Sequence, residues 1–430
     1  MKKNPLNGLC LLVLAGCCGF SLAARAVEPL TAGTDWTFGG HSKYQYILTT
    51  LPENSVLQDA GGDSLQDHNL DVRLKLSARR EAWDFSAHGQ FIMVHSDTLL
   101  GFRELPGLVY PGQNMIDDRR RWFNLTHVMH NRDRDATLVR LDRLSLGYSS
   151  EKSVIRFGRQ AISWGNGLLF TPMDILNPFD PTAVDKEYKA GDDMLYTQRL
   201  LANGDDVQAV AVVRRDPVSG DVRRDQSSVA LKYHGLMAAT EYDLLASRHY
   251  AETLLALGLS GDIGGAVWRG DLVWNDTQSG SVFSGVTGMS WSWVGGGRNW
   301  TGLLEYYYNG FGQTGGDYSA AALAANPELL KRLARGELYN IGRHYLGVSV
   351  MLEATPLLNL TSNTFINVTD PSALAQLVLS YDWKQDLQLL AALSFPVGPD
   401  GSEYGGIGTM QPGLYLSTGP SLFAQLAWYF

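Results

Sequence analysis

From residue 70 the chain alternates without a break: Leu70, Val72, Leu74, Leu76 and Ala78 fall on one side, Asp71, Arg73, Lys75 and Ser77 on the other. A repeat of two is that of a β-strand with one apolar and one polar face. The pattern resumes after a short turn near Arg80-Glu81, with Trp83, Phe85, Ala87, Gly89, Phe91 and Met93 opposite Asp84, Ser86, His88 and Gln90. Similar segments follow at 144–148, 154–160, 207–214, 229–234, 242–246, 267–275, 301–309, 348–352 and 387–395. With 36–48 as the first, about 18 strands are expected, or about 16 as the alternative, near the ~10 residues that a tilted membrane strand needs.

A water-soluble sandwich alternates too, so periodicity does not choose between sandwich and membrane barrel. Loop lengths do. The long connections fall at 51–68, 96–136, 161–192, 216–224, 310–340 and 396–419, each joining an odd strand to the next even one and so placed at one end. Connections at the other end are short, as at 149–152, 203–204 and 295–297. The chain stops on an aromatic residue, with Leu422, Ala424, Leu426, Trp428 and Phe430 on one apolar face. This ending resembles the C-terminal signal that bacterial outer-membrane proteins present to their insertion machinery, which implies Leu426, Trp428 and Phe430 as the assembly signal. Trp291, Trp293 and Trp300 at one strand end, and Tyr306 to Tyr308 at the other, suit interfacial girdles. The expected fold is all-β: a transmembrane antiparallel β-barrel forming one domain over residues 27–430, with long external loops and short periplasmic turns. Asn326-Pro327 and Gly336 bracket a loop helix over about 326–335 as cap, first residue and stop.

Residues 1–26 read as an export signal, with Lys2 and Lys3, an apolar run from Leu9 to Leu22, and Ala24-Arg25-Ala26 as a cleavage site. Leu14-Ala15-Gly16-Cys17 resembles a lipoprotein box, so lipidation at Cys17 stands beside cleavage after Ala26. Cys10, Cys17 and Cys18 all lie in this segment, so a chain cut after Ala26 has no thiol and neither disulfide nor zinc-thiolate chemistry. Formal charge is -9 for the whole chain; removing Lys2, Lys3 and Arg25 leaves 32 basic against 44 acidic residues, or -12. So acidic a chain is not expected to bind nucleic acid. Expected surroundings are the Gram-negative outer membrane, its lipid and lipopolysaccharide, the insertion machinery, and a periplasmic partner if the barrel serves export.

The densest motif runs through Gly158-Arg159-Gln160, Trp164-Gly165-Asn166-Gly167, Phe170, Pro172, Asp174, Asn177-Pro178-Phe179-Asp180-Pro181 and Gly191-Asp192-Asp193. Gly, Pro, Asp and Asn are residues of definite turns, so this long loop should hold a shape. It is the third external loop by count, and in general porins the third loop folds into the lumen. The Gly-Arg-Gln strand with its tryptophan-glycine loop also resembles a motif of porin-like and polysaccharide-export barrels, over about a tenth of the chain. A loop packed at the rim is the alternative. If it enters, it brings Asp174, Asp180, Asp185, Lys186, Glu187, Lys189, Asp192 and Asp193. With the apolar face toward lipid, Arg73, Lys75, Arg79, Arg143, Arg156, Lys232 and Arg269 become pore-lining candidates, and Asp71, Asp84, Glu241, Asp243, Asp271 and Glu305 their partners; Arg159, at the head of the dense motif, is a further pore-lining candidate. Facing walls of opposite charge orient polar solutes and set ion preference; mutual pairing that merely fills a wet interior is the plainer reading.

The second external loop carries Asp117-Asp118-Arg119-Arg120-Arg121 and His127, His130 and Asp133, and is expected to be solvated surface. No metal or cofactor is expected. Gly-x-Ser-x-Gly, His-Glu-x-x-His and phosphate-loop signatures are missing, so no enzyme is expected. The leading function is a porin-like channel passing small hydrophilic solutes or ions. A dedicated export or assembly barrel for a polysaccharide, lipid or other cargo is the alternative.

Overall fold

A computed structural model of the chain describes residues 33–104 and 117–430. The export-signal reading of residues 1–26, with all three cysteines, lies outside the described residues.

Strands run from β1 (Asp35–Thr50), β2 (Ser64–Arg80) and β3 (Trp83–Ser96) through β4 (Thr126–Arg132), β5 (Asp135–Ser149) and β6 (Ser153–Gln160). Next come β7 (Asp192–Leu200), β8 (Asp206–Val212), β9 (Ser228–Met237), β10 (Thr240–His249), β11 (Glu252–Ile263) and β12 (Ala266–Thr277). They continue with β13 (Gly280–Gly295), β14 (Arg298–Tyr308), β15 (His344–Thr355), β16 (Leu358–Asn367), β17 (Ser372–Lys384) and β18 (Leu387–Val397). Last are β19 (Ile407–Gly408), β20 (Tyr415–Leu416) and β21 (Ser421–Tyr429). Four helices, α1 (Gln58–Gly61), α2 (Asp97–Glu104), α3 (Ala320–Ala324) and α4 (Pro327–Arg335), lie in connections.

Eighteen of these strands close into an antiparallel barrel, with β4 as an extra strand. Closure is made by β1, which pairs β2 on one edge and β21 on the other. At that seam the Gly40 N–H donates to the Phe430 carbonyl at 2.8 Å.

The two faces are inverted relative to a soluble protein. Leu74, Leu231, Leu244, Leu255 and Leu272 are exposed on the outside, whereas Arg73, Lys232, Asp243 and Asp271 are buried within. An apolar exterior over a polar interior is the signature of a wall solvated by lipid. Phe283 and Trp293 mark two aromatic levels on β13. Ten residues separate them, about 33 Å along the strand and about 25 Å along the barrel axis at the usual tilt, which matches a hydrocarbon core.

All long connections lie at one end, but three connections at that end are short, at 250–251, 278–279 and 368–371. In α4, the Asn326 side chain accepts from the Leu329 N–H, Pro327 opens the helix and Gly336 ends it in the left-handed region. The barrel wall is uneven, because β6, β7 and β8 have only 8, 9 and 7 residues. Over Leu144–Ser149 the edge of β5 pairs with β6; above that, over Asp135–Arg140, β4 takes the edge. A bridge between Arg121 and Arg214 carries the same patch across the top of β8.

Candidate functional site

Residues 161–191 leave β6 and run through the inside of the barrel. Five consecutive backbone N–H groups, Asn166 to Phe170, end on two carboxylates of the inner wall. Asp271 of β12 accepts from Asn166 N at 2.8 Å, Asn166 Nδ2 at 2.8 Å and Gly167 N at 3.3 Å. Glu305 of β14 accepts from the amides of Leu168 at 2.6 Å, Leu169 at 2.8 Å and Phe170 at 3.1 Å. Such bonds to a charged acceptor are stronger than neutral ones. Glycine makes the approach possible. Gly165 has φ +102, and a Cβ there would sit 2.9 Å from an Asp271 oxygen; one on Gly167 would sit 1.9 Å from the Phe170 carbonyl.

Apolar packing fixes the loop beside these pegs. Trp164, Met173, Ile175 and Leu176 pack against Met194, Val210, Leu245, Leu254 and Val273, inward residues of β7 to β12. Phe170 stacks on Tyr307 at 5.0 Å and meets Tyr345 and Phe365. The Trp164 indole N–H donates to Gln208 Oε1 at 2.9 Å. Within the loop, Lys189 Nζ donates to Asp174, to the Ile162 carbonyl and to Ser163 Oγ. Burial pushes the Asp174 carboxyl up and the Lys189 ammonium down, each against the pull of the other's charge. The pair is therefore held by its geometry and its extra hydrogen bonds, in the manner of desolvated ion pairs.

The far part of the loop meets the opposite wall. Lys43 of β1 bonds Asp185 at 2.7 Å and Glu187 at 2.6 Å, and the Tyr429 hydroxyl of β21 donates to Glu187 at 2.9 Å. Burial opposes ionisation of Glu187, but Lys43 overcomes it and holds this carboxyl below its usual range. Arg73 and Lys75 of β2 lie over the Tyr188 ring at 4.1 and 4.7 Å. Burial, then Glu187, pushes the Tyr188 hydroxyl up to about 12, so it stays a neutral phenol. Gln376 Nε2 of β17 donates to the Thr182 carbonyl at 3.0 Å. With contacts on β12 and β14 and on β1, β2, β17 and β21, the loop spans the lumen.

A β-bulge adds to the cationic side. Opposite His88 and Gly89 the register of β5 slips by one residue, leaving Asp142 unpaired between Leu141 and Arg143. Both Asp142 and Arg143 then reach inward, and Asp142 bonds Arg73 at 2.6 Å and Arg143 at 2.8 Å. Asp142 was not among the residues singled out by alternation, because the bulge changes the parity. Leu141 and Leu144, three residues apart and both apolar, are its trace in the sequence.

Other candidates have local partners on the inner wall or in the loop. Arg156 bonds Asp84 at 3.3 Å, Lys232 bonds Asp243 at 2.9 Å, and Arg269 donates to Ser290 Oγ at 2.7 Å. Asp180 closes a turn by accepting from the Thr182 amide and hydroxyl, and Lys186 Nζ donates to the Pro181 carbonyl. Arg79 lines the periplasmic mouth with Asp84 and Arg156. Asp271 and Glu305 were expected to pair with wall cations; they hold loop amides instead.

Arg159 is a correction. It shares the outward parity of Ile155 and Phe157, both exposed, and so does not line the pore. It is buried under residues 117–125, bonding Asp193 at 2.8 Å and Asp118 at 3.0 Å and donating to the Phe123 carbonyl. Asp192, by contrast, keeps the inward parity of Met194 and bonds Arg214, which follows Val212 on the same face, at 2.6 Å. The solvated-surface reading of the second external loop fails at the same place, since Asp118 is buried between Arg121 and Arg159. Unpaired charges there would be costly to cover, and the ion pairs explain how the loop can complete the wall. His127 and His130 lie on strand β4. Among the described residues no group of three His, Cys, Asp or Glu side chains is placed to hold a metal ion.

No family model matches the chain, and no curated protein matches it in sequence. Solved structures do match. A BenF-like porin from Pseudomonas fluorescens Pf-5 superposes with a TM-score of 0.53 at 10% identity, over 92% of this chain and 98% of that one. OccAB4 of Acinetobacter baumannii gives 0.52 at 9% identity, covering 94% and 100%. Wzi of Escherichia coli, a carbohydrate-binding β-barrel outer-membrane protein involved in group 1 capsule assembly, gives 0.50 at 12% identity, covering 90% and 83%. The fold is thus that of bacterial outer-membrane porins and porin-like barrels.

Proposed function

We propose that the protein is an outer-membrane channel through which small hydrophilic solutes or ions pass passively. The observation that carries this reading is the internal loop on its Asp271 and Glu305 pegs, which narrows the outer half of a polar-lined barrel. Below it the inner face is only partly covered, and Arg79, Asp84 and Arg156 border a mouth toward the periplasm. Acidic Asp185 and Glu187 on the loop face Lys43, Arg73, Lys75 and Arg143 on the wall, a transverse arrangement that orients polar solutes. Nothing in the reading requires catalysis. Planar-bilayer recording on the refolded protein tests it, and a barrel silent at every voltage and salt gradient would refute it.

A second reading, an export or assembly barrel with a periplasmic partner, is favoured by one feature. Two apolar clusters, around Trp164 and around Phe170, fill much of the outer half as a core would. The similarity to Wzi, described as carbohydrate-binding, points the same way. Purification in mild detergent discriminates: a stoichiometric periplasmic protein carried along supports export, and a barrel that conducts and purifies alone supports the channel.

A further inference from the structure

Outward of the two pegs, the inner face of β11 to β14 backs a cavity closed in by the internal loop on one side and by residues 311–340 on the other. Most of its lining is apolar, with Pro172, Pro178 and Pro181 from the loop and Leu254 and Val273 from the wall. Three neutral polar groups converge on it. The Tyr307 hydroxyl of β14, the Asn275 amide of β12 and the Asn340 amide have no hydrogen-bond partner among the described residues, which are 3%, 7% and 5% exposed in that order. None of these polar atoms is sealed inside the protein, so each still presents surface to the cavity it lines. Buried polar groups are normally satisfied, by water if by nothing else. What speaks for a ligand is the rest of the lining. Phe179 of the loop and Tyr339 are partly exposed, and neither ring packs on another ring among the described residues. The Tyr339 hydroxyl donates to the Pro178 carbonyl at 3.1 Å, which sets its ring against the loop. Every charge in the lining is already spent: Asp174 holds Lys189, Arg332 bonds Glu252 and Glu328, and His249 bonds Glu337 at 3.2 Å.

We infer that this cavity binds a small neutral aromatic molecule with one polar substituent, of the phenol, benzyl alcohol or benzamide kind. Its flat ring stacks on Phe179 or Tyr339, whose faces carry no other ring. Its polar end reaches the deeper Asn275, Tyr307 and Asn340, which between them both donate and accept. An apolar enclosure with a few convergent polar groups is the ordinary form of a small-molecule site. A charged ring finds no free counter-ion here. A sugar would leave most of its hydroxyls against proline and aliphatic carbon, with their bonds to water lost and not replaced. Loop, wall and residues 339–340 all contribute, so the bound molecule makes contacts that exist together only while the loop is docked, and it shifts the loop toward that state. The site lies between loop and wall, so the inference goes beyond the channel reading and does not rest on it.

Ligand-detected saturation-transfer NMR on the full refolded barrel in amphipol tests the inference, with phenol, benzyl alcohol and benzamide as probes. Benzoate is the charged comparator, toluene the one without a polar end, and glucose the sugar. At least one probe should bind saturably and at least tenfold more tightly than all three comparators. The variant Asn275→Leu/Tyr307→Phe removes two groups that bond nothing in the protein, so the barrel should still fold, and binding should weaken at least tenfold. Phe179→Ala, at a partly exposed loop position, should weaken it as well. With the best probe at saturation, hydrogen exchange over residues 171–181 should slow. No saturable signal from any of the three probes leaves the polar groups to water and overturns the proposal. Equal binding of benzoate, toluene or glucose, full binding by both variants, or unchanged exchange at saturation overturns it too. Conductance is recorded separately without ligand, so a barrel that conducts but does not bind removes this site alone, and one that binds but does not conduct removes the channel alone.

Discussion

Exchanging Glu305 for Gln tests the peg that holds the internal loop. The carboxylate takes three amide protons, one on Oε1 and two on Oε2. Glutamine removes the charge and turns one acceptor into a donor facing other donors. Losing two charge-assisted bonds at ~1.5–3 kcal/mol each costs about 3–6 kcal/mol, of which lumen water restores part. A net loss of about 2–3 kcal/mol shifts the ratio of docked to undocked loop by about 30- to 150-fold. Asp271→Asn acts on the adjoining amides, and the two substitutions share one loop, so their effects should not add. The apolar packing of Trp164 and Phe170 remains, so partial release is expected: open-channel noise should rise in Glu305→Gln, and mean conductance should rise in the double variant. Single-channel recording reads both, with heat-modifiable migration on gels confirming a closed barrel. Wild-type noise and conductance in the double variant would refute the peg argument.

Three more outcomes follow from the same geometry. Neutralising Arg73, Arg79 and Arg156 to Gln should move the reversal potential toward that of cations in a salt gradient; an unchanged value removes them from the filter. Burial pushes the Glu403 carboxyl up to about 7 from its ordinary 4.5, so the folded state holds its proton more tightly than the unfolded one. Stability of the latch between residues 398–420 and β15–β16 therefore falls as pH rises through that window, and hydrogen exchange of 398–420, corrected for intrinsic rates, should quicken at the upper end; Glu403→Gln should abolish the dependence. Phe430→Ala trims the ring that packs on Trp428 beside the closing seam, and slower insertion into lipid vesicles is expected.

Alternation made the wall legible because lipid and lumen impose opposite demands on neighbouring residues, as at Leu70 to Ala78. Parity also held the answer for Arg159, which shares a face with Ile155 and Phe157; the loop-like chemistry around it drew attention away from that count. Asp271 and Glu305 could be placed inside by the same rule, but their partners could not be found, since backbone amides carry no letter in the sequence. Asp142 was hidden by a bulge that changes parity within one strand. The inward apolar residues of β7 to β12, such as Val210 and Val212, have apolar neighbours on both faces, and periodicity cannot say that a loop will fill the space before them.

The shortness of β6, β7 and β8 has a consequence for the membrane itself. Seven residues at the usual tilt reach only about 18 Å, short of the ~25 Å apolar band elsewhere on a barrel. Above them the surface is made by residues 117–125 with their buried ion pairs, where Trp122 and Phe123 rest on Phe157. Hydrophobic mismatch on one flank alone is relieved by thinning the bilayer there or by leaning the cylinder toward that side. Unless residues 117–125 restore the missing height, that asymmetry gives the barrel a compass bearing within the plane of the membrane.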